Sequence, residues 1–279
     1  MDGSTPSTIA APSRTSAGAP GTLDGVGSAA LLLRAAAGLA DELVDLVLPR
    51  TCAGCGLPRA VLCPACARLL TRPHLATPRR FPEGFPPTVA AGAYAGPVRD
   101  AVLAFKERGR AELARPMGAA LALAVAGVLA GLGAPPPGPV LLVPLPSSAA
   151  GLRARGRDHV RELTARALTE LAAAGLTCAE GRLLRRRGRV RDSAGLSVRE
   201  RRANLAGTFA LRRAVPPGAV LVLVDDVVTS GATLCEAAAV LAARRSADEL
   251  PVLAAVVAAT PRADGFEPLG RLSGPLLTD

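Results

Sequence analysis

The chain predicts an α/β protein: a mostly parallel, twisted sheet flanked by helices, preceded by a small cysteine-rich module. Three observations carry that expectation. Val220–Val224 is an unbroken run of five aliphatic residues, as a strand buried on both faces of a parallel sheet requires. Similar apolar runs at Val140–Pro144 and Val252–Ala259 are separated from it by helix-forming stretches, and alternating strands and helices point to a doubly wound sheet. Ahead of all these stand two Cys-x-x-Cys knuckles, Cys52/Cys55 and Cys63/Cys66, which form no part of that alternation.

A chain of 279 residues can bury a full core, and one large domain with a small appendage is the natural expectation. The net charge of +10 comes almost wholly from arginine and suits an anionic ligand or partner. It does not by itself specify nucleic acid, because an aromatic content of 2% leaves almost no platform for stacking bases. Residues 1–28 are rich in Ser, Thr, Pro, Gly and Ala without periodicity and read as a disordered tail. No secretory signal is expected, since the start is not basic and Arg34 interrupts the apolar run Ala29–Ala40. The apolar stretch Met117–Gly133 resembles a membrane span in length. Its Ala/Gly composition and the Pro-Pro-Pro-Gly-Pro breaker that follows favour a close-packed core helix, and a cytoplasmic protein without membrane insertion.

Taken in order, the first element expected is an amphipathic helix before Pro49. Leu32, Leu39, Leu43 and Leu46 share one face, with Asp41, Glu42 and Asp45 off it. The four cysteines follow, with seven residues between the knuckles, and offer four thiolates to a tetrahedral Zn²⁺. Disulfides suit a secreted chain, and a redox Cys-x-x-Cys needs no duplication, so a closed structural zinc site is the favoured reading. Residues 29–75 thus form a helix-plus-zinc module and 76–279 the α/β domain. Cys178 and Cys235 read as core or helix residues. A helical stretch runs through Phe105-Lys106, and Val140–Pro144 ends in the turn Leu145-Pro146-Ser147-Ser148. After the basic segment Arg153–Arg157, Val160, Leu163, Ala167, Leu168 and Leu171 line one face of another helix. Glu162, Arg166 and Glu170 are spaced for i,i+4 pairing on a second face, and His74 and His159 read as surface residues. Arg182–Arg202 is the most basic window, with nine arginines against Asp192 and Glu200. Phe209–Leu211 is a further strand.

The richest chemistry lies at Val220–Thr233. Asp225 and Asp226 follow the aliphatic run, then Val227-Val228-Thr229-Ser230-Gly231-Ala232-Thr233 opens into the helix Leu234–Leu241. A helix N-terminus offers free N–H groups and partial positive charge to an anion. Thr229, Ser230 and Thr233 add hydroxyl donors, Gly231 permits close approach, and the carboxylates can accept from vicinal hydroxyls. A sugar phosphate is the ligand these features imply. A buried strand with a solvated Asp-Asp turn is the blander alternative. A nucleotide-hydrolase strand end would need a Gly-Lys-Ser/Thr loop, and the single lysine, Lys106, is elsewhere.

This string resembles the 5-phosphoribosyl-1-diphosphate (PRPP) signature of type I phosphoribosyltransferases. Together with the cysteine knuckles, Tyr94-x-Gly96-Pro97-x-Arg99, Phe105-Lys106, Val143–Pro146, Arg153-x-Arg155-Gly156, Gly195-Leu196-Ser197 and Arg201-x-x-Asn204, the chain resembles the competence-associated ComF family over roughly residues 30–260. Arg157-Asp158-His159 departs from that pattern, as does Asp192-Ser193. The resemblance implies a type I phosphoribosyltransferase-like domain with residues 76–110 as its hood. It implies that Val227–Thr233 hold the 5′-phosphate, that Asp225 and Asp226 take the ribose hydroxyls, and that Pro144, Leu145 and Pro146 face pyrophosphate. Mg²⁺ would accompany PRPP, and Arg186, Arg187 and Arg189, in a basic loop over residues 185–191, would close over the leaving group. The implied activity is phosphoribosyl transfer to a small nitrogenous acceptor. A non-catalytic PRPP-binding protein is the alternative, as is a DNA-uptake accessory factor contacting single-stranded DNA or a competence helicase.

Overall fold

A computed structural model describes residues 50–77, 84–187 and 207–261, together with the backbone of 267–268. These residues belong to one compact unit that starts at Arg50. The expected tail over 1–28 and the amphipathic helix carrying Leu32 to Leu46 lie outside the described residues.

The first element is the short helix α1 (Pro64–Arg68), which begins directly after Cys63 with proline in its first turn. Proline fits there because the N–H it lacks would have no partner inside the helix. Strands β1 (His74–Leu75) and β2 (Thr88–Ala93) follow, then helix α2 (Gly96–Lys106). A 3₁₀ turn at Ala111–Leu113 leads into α3 (Ala114–Ala130), and β3 (Val140–Pro144) comes next. Helices α4 (Ala149–Arg155) and α5 (His159–Ala173) precede β4 (Cys178–Glu180). Strands β5 (Leu184–Arg186) and β6 (Phe209–Leu211) form an antiparallel pair. The chain then builds β7 (Val220–Val228), α6 (Ala232–Ala242), β8 (Leu253–Ala259) and β9 (Glu267–Pro268).

The main sheet has seven strands in the order β4-β3-β7-β8-β2-β1-β9. The first five are parallel to one another, and β1 pairs antiparallel with both β2 and β9. The sheet is therefore mostly parallel, as expected, with a short antiparallel edge. The chain leaves β3 through α4 and α5 towards β4 on one side, and leaves β7 through α6 towards β8 on the other. The adjacent strands β3 and β7 thus mark the point where the winding reverses. In such sheets a crevice opens beyond the carboxyl ends of those two strands.

Strand periodicity divides the core into two layers. Val220, Val222 and Val224 face α2, α3 and α5, whereas Leu221 and Leu223 face α6 and the β5–β6 pair. Every residue of β8 is buried, as both faces of a covered parallel strand should be. The apolar stretch 117–133 is accounted for by α3, which is long and apolar enough to cross a bilayer when taken with the preceding turn, yet buries most of its length in this core. Gly118 lets α3 approach α5 closely, because a Cβ at that position would overlap the Cβ of Arg166. The i,i+4 pairing expected along α5 gives way at Glu162, whose carboxylate is taken by Arg157 instead.

Candidate functional site

The aliphatic run does not end before the carboxylates: β7 continues through Asp225 and Asp226 to Val228. Because side chains alternate along a strand, the two aspartates point to opposite faces of the sheet. Asp226 shares the face of Val224 and enters the layer of α2 and α5, while Asp225 shares the face of Leu223. The pair is therefore not one bidentate unit.

Asp226 is buried, with 3% of its surface exposed. Its Oδ2 lies 2.8 Å from Nζ of Lys106 at the end of α2 and 3.2 Å from Nε2 of His159 at the start of α5. Burial opposes ionisation of this carboxyl, but the contact with His159 and the charge of Lys106 more than offset it and hold Asp226 below the usual carboxylate range. Burial likewise disfavours the Lys106 ammonium, and Asp226 overcomes it, leaving the amine above the ordinary lysine value. Asp225 is half-buried and behaves oppositely: burial and the neighbouring Asp226 charge push its carboxyl well above the usual range. Its Oδ1 accepts from the backbone N–H of Asp226 at 2.8 Å.

A second layer of contacts holds this cluster. Asp158 caps α5, accepting from the N–H of Arg161, and so sets His159 at the first helical position. The Arg157 guanidinium lies 4.3 Å from the centroid of the fully buried Phe105 ring and donates from Nη1 to the Phe105 carbonyl at 3.0 Å. Phe105 and His159 meet edge to face with centroids 6.3 Å apart. In Arg157-Asp158-His159, the segment that departs from the ComF pattern, His159 touches the carboxylate, while Arg157 holds Phe105 and Asp158 caps α5.

The two histidines expected at the surface are both buried. The stripe of α5 that carries Val160, Leu163 and Ala167 also includes its first residue, and that residue is His159. His74 sits in β1 with Nδ1 3.0 Å from the Arg72 carbonyl oxygen, and burial holds its imidazole below the ordinary value.

Beyond β7, Thr229 is exposed and Ser230 half-buried. Gly231 precedes α6 with φ 76°, a left-handed conformation that glycine adopts without steric cost. Gly231 has no side chain to cap α6, the Ser230 Oγ accepts from the Ala232 N–H at a long 3.5 Å, and the first turn of the helix holds no acidic residue. Ala232 is buried and Thr233 half-buried at that end. Across the crevice, Pro144 is the last residue of β3, and Leu145 donates its N–H to the Val224 carbonyl at 3.0 Å. The turn Leu145–Ser148 therefore lies directly beside the carboxylate end of β7, with Pro146 half-buried on it. Ser148 caps α4, accepting from Gly151.

Of the expected basic loop, Arg185 and Arg186 belong to strand β5, which corrects the expectation that they sit on a loop. The apolar Leu183-Leu184 pair anchors this segment in the core, and β6 supplies its partner strand. The Arg186 guanidinium packs 5.4 Å from the Phe209 ring centroid, and burial disfavours its charge against the opposing pull of Asp225. Arg187 is exposed, with its N–H bonded to the Thr208 carbonyl. Gly207 donates to Glu236 of α6 at 2.7 Å, so the base of the β5–β6 pair is tied to the helix that follows β7. Arg189, Asp192-Ser193, Gly195–Ser197 and Arg201 to Asn204 lie outside the described residues.

The four cysteines come together, with all four Sγ atoms within 4.8 Å of one another. Four thiols so gathered can hold a structural metal such as zinc. The donor set fits a closed site: Cys52, Cys63 and Cys66 are buried, and the N–H of Cys63 donates to Cys52 Sγ. Burial opposes the Cys52 thiolate, but the N–H groups of Cys63, Cys55 and Gly54 more than offset it and hold its pKa at about 6. A separate cavity of about 530 Å³, lined by Leu69, Arg72, His74, Ala93 and Val98 among others, opens beside the end of β2 and the start of α2.

No protein-family model matches the chain, and no curated protein matches it either.

Missed by sequence reasoning are Lys106 and His159 as partners of Asp226. The signal available for Lys106 was its being the single lysine in a chain whose other basic residues are all arginine.

Proposed function

We propose that this protein binds PRPP and transfers its phosphoribosyl group to a small nitrogenous acceptor, releasing pyrophosphate. The observation that carries the reading is the N-terminus of α6, opened by the left-handed Gly231 and without an acidic residue. It follows the carboxyl end of β7 at the reversal point of the sheet, where the turn after β3 also lies. In this reading Thr229–Thr233 cradle the 5′-phosphate, and the half-buried Asp225 accepts from the ribose hydroxyls. Asp226 acts from behind, as a fixed charge shared with Lys106 and His159. The Pro144–Ser148 turn faces the pyrophosphate, and Arg186 and Arg187 approach from the β5–β6 pair on the Asp225 side. In the transfer, the bond from C1 of the ribose to the pyrophosphate oxygen breaks and a bond from C1 to the acceptor nitrogen forms. The acceptor gives up a proton, and the electron pair leaves on pyrophosphate. Mg²⁺ arriving with PRPP supplies neutralisation of the leaving group, mostly through substrate and water oxygens. Zinc at Cys52, Cys55, Cys63 and Cys66 has a structural part, since four thiolates leave no open position for chemistry.

Calorimetry of the full chain with PRPP and Mg²⁺ is the direct test. Binding should weaken about 10- to 150-fold in Asp225→Asn, the effect of removing a charge-assisted contact of about 1.5–3 kcal/mol. Unchanged affinity in that variant would remove Asp225 from the site. Incubation with PRPP, Mg²⁺ and a pool of nucleobases and amines, read by mass spectrometry, should then give a phosphoribosylated product. The ion cluster at Asp226 favours a second reading, a PRPP-binding protein without chemistry, because one of the two carboxylates is already neutralised by protein groups. Tight PRPP binding with no product from any acceptor would establish that alternative. The DNA-uptake role has no comparable observation behind it.

A further inference from the structure

Lys106 reaches Asp226 only because α2 is held in place, and α2 meets the four-cysteine module at both ends. At its start, Gly54, which lies between Cys52 and Cys55, presses against Pro97. A Cβ on Gly54 would stand 2.8 Å from the Pro97 carbonyl oxygen and 3.0 Å from both the Pro97 Cβ and the Cys66 Sγ. The first knuckle, the second knuckle and the helix start therefore share one tight contact. Past the other end of α2, Arg110 donates from Nη1 to the carbonyl of Thr51 at 2.7 Å, and Thr51 immediately precedes Cys52. Arg110 is itself folded back onto α2, its N–H bonding the Ala104 carbonyl at 3.1 Å. Lys106 lies between these two attachments, as the last residue of the helix.

We infer that the four-cysteine module controls the carboxylate site: a metal held by the thiols sets the position of α2, and α2 delivers the Lys106 ammonium to Asp226. Four thiols cannot keep their mutual geometry as free groups as well as they can around one ion, and the Gly54–Pro97 contact depends on that geometry. With the metal removed, the Thr51–Cys55 segment relaxes, α2 loses its brace at both ends, and the Asp226–Lys106 pair opens. Asp226 then keeps the contact with the His159 ring but loses the Lys106 charge. Metal occupancy at the knuckles is in this way read out at a carboxylate that touches none of them. The value of that readout for PRPP rests on the reading of Asp225 and Asp226 as the ligand site, but the mechanical coupling does not.

The single lysine makes the coupling measurable without any ligand. The full chain is treated with an amine-acylating ester, and modification of Lys106 is followed by peptide mass spectrometry, with metal content by elemental analysis and folding by circular dichroism. An ion-paired ammonium reacts only when the pair opens, so Lys106 should react slowly in the metal-loaded protein and roughly tenfold faster after chelation, returning to the slow rate on adding Zn²⁺. Arg110→Met, which cuts one attachment and spares the thiols, should speed acylation while the metal stays bound. This variant judges the proposal if the stripped chain unfolds. Equal Lys106 rates with and without metal in folded protein, or no change in Arg110→Met, would overturn it. PRPP calorimetry on the same samples separates the two ideas. Metal-dependent Lys106 reactivity with no PRPP binding anywhere keeps the coupling and refutes the ligand. Metal-independent reactivity with intact PRPP binding does the reverse.

Discussion

At the scale of single residues, adjacency in sequence conceals a difference in kind. Asp225 and Asp226 carry the same side chain one position apart, yet strand alternation gives one a partly open face and the other a buried face against the Lys106 ammonium and the His159 ring. Removing one member of a buried ion cluster leaves the others unpaired, so Asp226→Asn should cost about 3–5 kcal/mol in urea unfolding at neutral pH. Asp225→Asn should be neutral or stabilising, since it removes a charge that burial and Asp226 already disfavour. The pH dependence follows from the direction of the shift. Asp226 titrates lower in the folded chain than in the unfolded one, so its stabilisation is fully present above the ordinary aspartate pKa of about 3.9 and is lost as pH falls below it. Between that value and more acid conditions the wild type should lose its advantage over Asp226→Asn, as measured by unfolding midpoints across pH 2–6. An advantage unchanged over that range would place the charge of Asp226 elsewhere.

At the scale of elements, the layer behind the site depends on the close crossing of α3 and α5. The α3 segment is mainly alanine, leucine, valine and glycine, so contact rather than directional bonding sets its place. Gly118 is the point of nearest approach, and Gly118→Ala should push the helices apart at a cost of about 1–3 kcal/mol, read as a lowered Tm. Because α5 carries His159 at its first position, the same variant should also weaken PRPP binding if that ligand reading holds. A variant as stable as wild type would show that α3 can shift without disturbing its neighbours.

At the scale of the whole molecule, the sheet and the cysteine module differ in what holds them. The sheet is supported by two apolar layers, whereas the module has a small cluster of its own, made of Cys52, Cys63 and Cys66 with Ala60 and Leu62 against it. The metal therefore matters for the fold of the module rather than for that of the sheet. One zinc per chain is expected by elemental analysis, and Cys63→Ser should lose it while the sheet stays folded by far-ultraviolet circular dichroism. Loss of the whole cooperative transition in that variant would make the module part of the main core.

What the sequence determined by itself was whatever depends on neighbours along the chain. Five aliphatic residues in a row make β7 a covered strand, glycine and small residues open α6, and two Cys-x-x-Cys knuckles seven residues apart are close enough to share an ion. The parallel sheet was legible for the same reason, as a repeat of local patterns. Even there the carboxyl end of β7 was misplaced, because nothing local distinguishes two aspartates in a strand from two in a turn. Only the tertiary structure decided which aspartate is buried and what neutralises it. Lys106, His159 and Asp226 come from three separate elements, and only the folding of α2 and α5 onto the same face of β7 brings them within about one hydrogen-bond length. The burial of His159 was hidden likewise, because a polar residue at the head of an apolar helix stripe looks like the end of the stripe until a partner across the layer is known.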